Sequence, residues 1–236
     1  MKNKPIIIVA GEPYSTFLEI FFKSLKSNIT KKFPIVIIAS KQNLIGQMKK
    51  LKYNYKILLI NKININEIKP SQKIIYLINV DFKKKRIIDK ISSSSKKYIE
   101  ECFKKGMQLI KQKKGIALIN GPVSKKYFLN NKYPGITEYL ADKTKKFNEE
   151  VMLIYNEKLS VSPITTHLPL KNIFKNITIK KITKKVSTIN NFYKSKLNKK
   201  VKFAITGLNP HCETKGVINE EKRIILPAIK KLKKKK

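Results

Sequence analysis

The strongest constraint on how this chain can fold is an alternation of short, isoleucine-rich runs with longer amphipathic stretches. In the first half, the short runs predict strands at residues 6–10, 35–39, 57–60, 74–80 and 116–120. The longer stretches carry apolar residues at helical spacing and predict helices at residues 16–27, 42–51 and 98–113. Strands that alternate with helices are typical of α/β proteins, in which mostly parallel sheets are covered by helices on both faces.

The second half of the sequence continues this alternation. It predicts short helices at residues 125–131 and 137–145, strands at 151–155 and 159–164, a helix at 180–197, a strand at 201–206 and a last helix at 220–232. We therefore expect an α/β chain of two domains, residues 1–120 and residues 121–236. In such folds, ligands bind at the loops that leave the carboxyl ends of the strands.

Four predicted strand-end loops, residues 11–13, 121–125, 165–169 and 207–211, contain the most distinctive sequences of the chain. In the second of these loops, Gly-Pro-Val-Ser-Lys, exposed amides at a helix N-terminus and Lys125 could hold a phosphate or a carboxylate. The same loop also fits an ordinary turn, with proline in the first helical turn. The sequence contains neither the glycine-rich dinucleotide fingerprint nor the P-loop.

The chain has two histidines, His167 and His211, and each follows a predicted strand. Imidazoles from neighbouring strand ends could converge on one metal ion, although two isolated histidines could also be incidental polar groups. A good site needs a third ligand. Glu138 and Glu213 are the nearest acidic candidates, and neither has a clear claim.

The formal net charge of +38 has two explanations. Lysines close to phosphates release counterions, so a basic chain could be a nucleic-acid-binding protein. However, lysine is spread along the whole chain together with excess isoleucine and asparagine, and no zinc-finger spacing or aromatic RNA-binding strand is present. We interpret the charge as compositional drift and expect only nonspecific, salt-sensitive binding to nucleic acid.

The location of the protein is constrained by apolar run length and by cysteine use. No run approaches the roughly 20 apolar residues of a membrane-spanning helix, so no membrane association is expected. The N-terminus leads into a short apolar run without a small-residue cleavage site, which predicts a cytoplasmic protein. Cys102 and Cys212 are far apart in sequence and are predicted to be reduced thiols.

Four ordered segments carry a specific family resemblance. They are residues 117–125 (Ala-Leu-Ile-Asn-Gly-Pro-Val-Ser-Lys), 135–141 (Gly-Ile-Thr-Glu-Tyr-Leu-Ala), 165–170 (Thr-Thr-His-Leu-Pro-Leu) and 207–211 (Gly-Leu-Asn-Pro-His). These segments resemble motifs of the 4-hydroxythreonine-4-phosphate dehydrogenase (PdxA) family, which has an isopropylmalate-dehydrogenase-like fold. The Gly-Glu-Pro of residues 11–13 also matches the opening of that family.

The resemblance implies a reaction in pyridoxal phosphate (vitamin B6) biosynthesis. The family oxidises the secondary hydroxyl of a phosphorylated amino acid with NAD or NADP, and the resulting β-keto acid loses carbon dioxide. A divalent metal (zinc, magnesium or cobalt) is held by three histidines, of which His167 and His211 match the first two. Thr137 matches a threonine that contacts the substrate. The family forms homodimers with sites at the subunit interface, and the partner subunit supplies the third histidine.

The sequence also departs from the family pattern. Ile136 stands where the family has a histidine that contacts the substrate, and the C-terminal third of the family sequence has no counterpart. Since the chain contains only two histidines, we do not expect two copies of it to build the three-histidine site. Two alternatives therefore stay open: a related dehydrogenase for another phosphorylated hydroxy acid, and an inactive, truncated relative.

The lysine run at residues 233–236 suggests a frameshift or truncation within A-rich codons. The nucleotide sequence beyond these codons, read in three frames, tests this hypothesis. A continuation with a third histidine would support it, and stop codons in all three frames would contradict it.

Overall fold

The computed structural model describes residues 4–60, 65, 67–82, 91–146, 149–208 and 219–234. The chain divides into two compact units, Met1–Lys145 (unit 1) and Lys146–Lys236 (unit 2). The sequence placed the domain boundary after residue 120, whereas residues 121–145 belong to unit 1. The reason is aromatic packing, because the rings of Phe128 and Tyr139 lie 5.7 Å and 5.6 Å from the ring of Phe103, which belongs to the helix before residue 120.

Unit 1 consists of five strands and five α-helices within its described residues. In chain order they are β1 (Ile6–Val9), α1 (Phe17–Ser24), α2 (Ile29–Lys32), β2 (Ile35–Ala39), α3 (Lys41–Lys50), β3 (Lys56–Leu59), β4 (Ile74–Asn79), α4 (Lys96–Lys111), β5 (Ala117–Asn120) and α5 (Ile136–Lys143). A short 3₁₀ turn, Ser93–Ser95, leads into α4. The five predicted strands are confirmed, each within one residue at either end.

The five strands form one parallel sheet in the order β3-β4-β2-β1-β5. On one face, strand residues such as Ile7 and Val36 pack against Ile99 and Phe103 of α4. On the other face, strand residues that include Ile8, Ile37 and Leu77 pack against α1 and α3, chiefly through Leu18, Phe22 and Leu44. Because alternate side chains of each central strand are buried on opposite faces, the strands are apolar throughout. The predicted α/β class, with helices on both faces of a parallel sheet, is confirmed.

The helix predicted at residues 125–131 is wrong, since this segment forms a series of turns. The amides of Phe128 and Leu129 both donate to the carbonyl of Ser124, which closes a single turn. Asn130 and Asn131 then adopt left-handed φ angles of 51° and 54°, and this conformation ends any helix.

Unit 2 contains α6 (Leu170–Asn176), α7 (Ile179–Leu197), a π-helical turn (Glu221–Ile225) and α8 (Leu226–Lys233). Its core forms where Ile182 of α7 packs with Ile225 and Ala228. Thr178 caps α7, because its hydroxyl accepts a hydrogen bond from the amide of Lys181 at 3.1 Å. None of the helices in the described ranges is both long enough and apolar enough to cross a membrane.

The three strands predicted in unit 2 are not formed. The segments at 151–155 and 159–164 meet only in an isolated antiparallel bridge between Ile154 and Val161, and residues 201–206 do not form a strand. A strand needs a neighbouring strand that exchanges backbone hydrogen bonds with it along its length, and the described part of unit 2 supplies only one such pairing. These residues therefore do not belong to a sheet within the described part of the chain.

Candidate functional site

Parallel pairing places the ends of β1, β2, β4 and β5 at one edge of the unit 1 sheet, where the sequence predicted ligand-binding loops. The loops after β1 and β5 are in direct backbone contact at this edge. The amide of Glu12 donates to the carbonyl of Pro122 at 2.9 Å, and the amide of Gly121 donates to the carbonyl of Val9 at 2.7 Å. The two motifs Gly-Glu-Pro and Gly-Pro-Val-Ser-Lys thus form one structure.

The closeness of these two loops requires glycine in both. Gly11 has a left-handed φ of +71°, and a Cβ atom there would lie 2.5 Å from the carbonyl oxygen of Pro122. A Cβ atom on Gly121 would lie 2.2 Å from the carbonyl oxygen of Ala10. Since the obstructing atoms are backbone, no side-chain rotation relieves either clash. The glycines of both motifs are explained by this packing.

Glu12 is the most unusual side chain at this edge, because its carboxyl group is buried (3% exposed). Its Oε2 atom accepts a hydrogen bond from the Ser95 hydroxyl at 3.0 Å, whereas Oε1 has no hydrogen-bond partner among the described residues. Burial raises the pKa of Glu12 above its usual range, and the Ser95 hydrogen bond offsets this only in part. Sequence reasoning noted the loop but did not single out Glu12. The family-like Gly-Glu-Pro motif was the one available signal.

The loop after β1 is also tied to α3, and the start of α3 is tied to α4. The side-chain amide of Asn43 donates to the carbonyl of Pro13 at 3.0 Å, and the amide of Ser40 donates to the Tyr98 hydroxyl at 3.1 Å. Burial raises the pKa of Tyr98, and it raises the pKa of the Cys102 thiol one helical turn further on to about 12. Both groups are therefore neutral at physiological pH. Cys102 is a buried free cysteine, and Cys212 lies outside the described residues.

Thr137, the predicted substrate contact, lies in the first turn of α5 and is exposed. The preceding Ile136 is partly buried and packs against the apolar cluster that α4 forms with the sheet. At the next position, the Oε2 atom of Glu138 is buried and has no hydrogen-bond partner in the described part of the chain. An aliphatic residue at 136 thus contributes to the core of unit 1, where the resemblance implied an imidazole facing the substrate.

The predicted metal ligands are only partly placed. His167 is exposed and has a left-handed φ of 54° in the loop before α6. His211, together with the alternative ligand Glu213, lies outside the described residues. No group of three histidine, cysteine, aspartate or glutamate side chains in the described ranges is arranged to hold a metal ion. The described residues alone therefore do not fit a complete metal site.

Comparisons with known proteins agree with the motifs. The family model for the pyridoxal phosphate biosynthetic protein PdxA matches residues 31–236. The 4-hydroxythreonine-4-phosphate dehydrogenase of Sulfurihydrogenibium sp. is 36% identical over 231 residues, which cover 96% of this chain and 70% of that protein. The D-threonate 4-phosphate dehydrogenase of Salmonella typhimurium is 26% identical over 235 residues and is covered to 71%.

A solved structure shows the same fold. A protein described as a 4-hydroxythreonine-4-phosphate dehydrogenase from Salmonella typhimurium superposes with a TM-score of 0.86 and 25% identity. The match covers 99% of this chain and 73% of that one. The sequence and the fold thus lead to the same group of proteins.

Proposed function

Because the chain belongs to the PdxA family, we propose that it oxidises 4-hydroxythreonine 4-phosphate in pyridoxal phosphate biosynthesis, with NAD or NADP as the hydride acceptor. The observation that carries this proposal is the 36% identity to a relative of that name, which extends over nearly the whole chain. The four family-like motifs lie within this match, and the first of them, residues 117–125, packs with the Gly-Glu-Pro loop at the edge of the sheet where ligands bind in such folds.

The proposed reaction has two steps. The carbon that bears the secondary hydroxyl transfers a hydride to the nicotinamide while the hydroxyl loses its proton, which gives a β-keto acid and the reduced cofactor. The β-keto acid then releases carbon dioxide. A divalent metal (zinc, magnesium or cobalt) would supply Lewis-acid stabilisation of the oxygen on which negative charge develops. We assign two of its ligands to His167 and His211.

The remaining assignments concern Thr137 and the oligomer. We propose that the exposed hydroxyl of Thr137 donates a hydrogen bond to the substrate, since it lies at the start of a helix and is free of the core. We also propose a homodimer with sites at the subunit interface, as the resemblance implies. The cytoplasmic location and the nonspecific binding of nucleic acid stay predictions.

The proposal is tested by following reduced nicotinamide in the presence of 4-hydroxythreonine 4-phosphate, each of the two cofactors and each of the three metals. We expect metal-dependent turnover that is abolished by His167→Ala or His211→Ala, while Asn191→Ala on an exposed position of α7 has no effect. Thr137→Val should raise KM, and Thr188→Val, also exposed on α7, serves as its matched control. An active His211→Ala variant would refute the metal assignment.

A second candidate function is the oxidation of D-threonate 4-phosphate or a similar phosphorylated hydroxy acid. Two observations favour it: a relative of that name covers 97% of the chain, and Ile136 packs in the core where the 4-hydroxythreonine-4-phosphate family motif has histidine. Comparison of kcat/KM for the two substrates separates the candidates. Preference for D-threonate 4-phosphate would overturn the first proposal but keep the dehydrogenase chemistry.

A further inference from the structure

The edge of the unit 1 sheet at which the strands begin lies opposite the loops that follow β1 and β5. In a parallel sheet each connection returns the chain to this edge, so the ends of α1 and α3 and the whole of α2 lie here, beside the strand starts. Hydrogen bonds join these connections: the amide of Ile6 donates to the carbonyl of Pro34 at 2.9 Å, and the side-chain amide of Gln72 donates to the carbonyl of Ser27 at 3.1 Å. We call the surface formed by residues 4–5, 26–34, 49–56 and 71–73 the amino edge.

The amino edge carries many lysines and no acidic residue. An exposed lysine begins or closely precedes each of the strands β1 to β4, at Lys4, Lys32, Lys56 and Lys73. Further exposed lysines lie in the last turns of α2 and α3. Residues 20–60, which contribute most of this surface, contain no aspartate or glutamate at all. Lysine is spread along the sequence, but the fold collects it here without acidic residues to neutralise it.

The acidic residues of unit 1 lie elsewhere. Within the described residues they follow β1 and β4 (Glu12, Asp81), lie in the first half of α1 and α4 (Glu19, Glu100, Glu101), belong to the crossover from β3 to β4 (Glu67), or belong to α5 (Glu138, Asp142). The helix dipole favours acidic residues at helix N-termini and lysines at C-termini, which explains part of this separation. It does not explain the lysines that lie at the starts of strands.

Aromatic rings lie among these lysines. The side chain of Phe33, which follows directly after Lys32, is 37% exposed. The ammonium group of Lys26 lies 5.8 Å from the centroid of the Tyr53 ring, and that ring stacks on Tyr55 with 5.9 Å between centroids. Lysines that neutralise phosphates, together with rings on which bases stack, are typical of surfaces that bind single-stranded nucleic acid.

We propose that the amino edge binds single-stranded nucleic acid without preference for base sequence, at a site separate from that of the proposed reaction. An anionic membrane is the other large polyanion that a basic surface can meet. Membrane-surface binding commonly uses an amphipathic helix that buries an apolar face between the lipids. Helix α2, which lies on this surface, has four residues and is too short for that role.

The contribution of the lysines is tested by the salt dependence of binding. A fluorescein-labelled 12-nucleotide oligouridylate is titrated with the 236-residue protein at several salt concentrations, and its anisotropy is measured. Each phosphate contact contributes about −0.7 to the slope of log K against log salt concentration, so Lys31→Gln with Lys73→Gln should reduce the slope by about 1.4. Lys41→Gln with Lys97→Gln removes the same charge from exposed positions at the starts of α3 and α4, and should leave the slope unchanged.

The contribution of the rings is tested by Phe33→Leu, which should weaken binding of the oligouridylate roughly tenfold. Phe174→Leu, which alters a ring of similar exposure (44%) in unit 2, should have no effect. An abasic chain of the same length and charge should bind the wild type roughly tenfold more weakly than oligouridylate does, and should not distinguish Phe33→Leu from the wild type. Circular dichroism establishes that each variant is folded.

Four results would overturn the proposal. They are equal slopes for the two lysine pairs, equal effects of the two phenylalanine substitutions, equal binding of the abasic chain, and the absence of saturable binding. Tighter binding of phosphatidylserine vesicles or of polyglutamate than of oligouridylate would also overturn it, since the partner would then be a membrane or an acidic protein.

Discussion

Replacement of Gly121 by alanine should strongly destabilise unit 1. The new Cβ atom would lie 2.2 Å from the carbonyl oxygen of Ala10, so the two loops would have to separate by 1.2 Å to reach the 3.4 Å of ordinary contact. Overpacking of this kind costs about 1–3 kcal/mol. The separation would also strain the hydrogen bonds that join Gly121 to Val9 and Glu12 to Pro122, each worth about 0.5–1.5 kcal/mol. We therefore expect a loss of about 3 kcal/mol.

The matched control is the same substitution at Gly46. This glycine lies within α3, and a Cβ atom there would meet nothing within 4 Å. Alanine is the better helix former, so Gly46→Ala should stabilise the protein by about 0.5–1 kcal/mol. The two alanine variants are thus expected to shift the free energy of unfolding in opposite directions.

Denaturation in guanidinium chloride, followed by far-ultraviolet circular dichroism, measures both changes, provided that the slopes agree among variants. A Gly121→Ala variant within about 0.5 kcal/mol of the wild type, a change typical of neutral surface sites, would refute the reasoning. It would mean that the two loops separate at little cost.

Three further predictions follow from buried groups and a helix cap. Burial raises the pKa of Glu12 above 4.5, so its contribution to stability is complete at low pH and is lost as pH rises through the folded-state pKa. As pH rises through this range, the free energy of unfolding of Glu12→Gln should increase relative to that of the wild type. A difference between the two proteins that does not vary with pH would contradict this prediction. Cys102, whose pKa is raised to about 12, should resist alkylation in native protein and react only after unfolding, as mass spectrometry of its peptide can show. Thr178→Ala removes the cap of α7 and should cost about 1 kcal/mol in thermal unfolding, whereas Thr188→Ala, exposed on the same helix, should cost less than half as much.

The sequence predicted unit 1 well because its signals are local. Each strand of the parallel sheet is a continuous apolar run, and each long helix shows apolar spacing. The short helix α2 was missed because four residues are too few to show a period. The domain boundary was misplaced because the ring contacts among Phe103, Phe128 and Tyr139 join distant parts of the chain. Such contacts have no signature in the sequence.

Unit 2 was predicted less well because a strand is not a local structure. The residues around Ile154, Val161 and Phe203 have the composition of strands, but a strand forms only where a neighbour completes its hydrogen bonds. Alternation of apolar and polar residues indicates which side chains are buried, but it does not indicate whether a neighbouring strand is present to pair with. The same limit applies to the site: His167 lies in a loop, as predicted, whereas the burial of Glu12 depends on its contact with Ser95 and could not be inferred.

The strand order has a consequence for how the protein is made. Strand β1 lies between β2 and β5, and Ile6 pairs with Ala117, which follows 111 residues later. At a synthesis rate of about 5–20 residues per second, one edge of the first strand waits roughly 6–22 s for its partner. During this time the apolar edge of β1 is open to other nascent chains. Strand β1, which lies inside the sheet, is thus the first strand to emerge from the ribosome and among the last to have both of its edges paired.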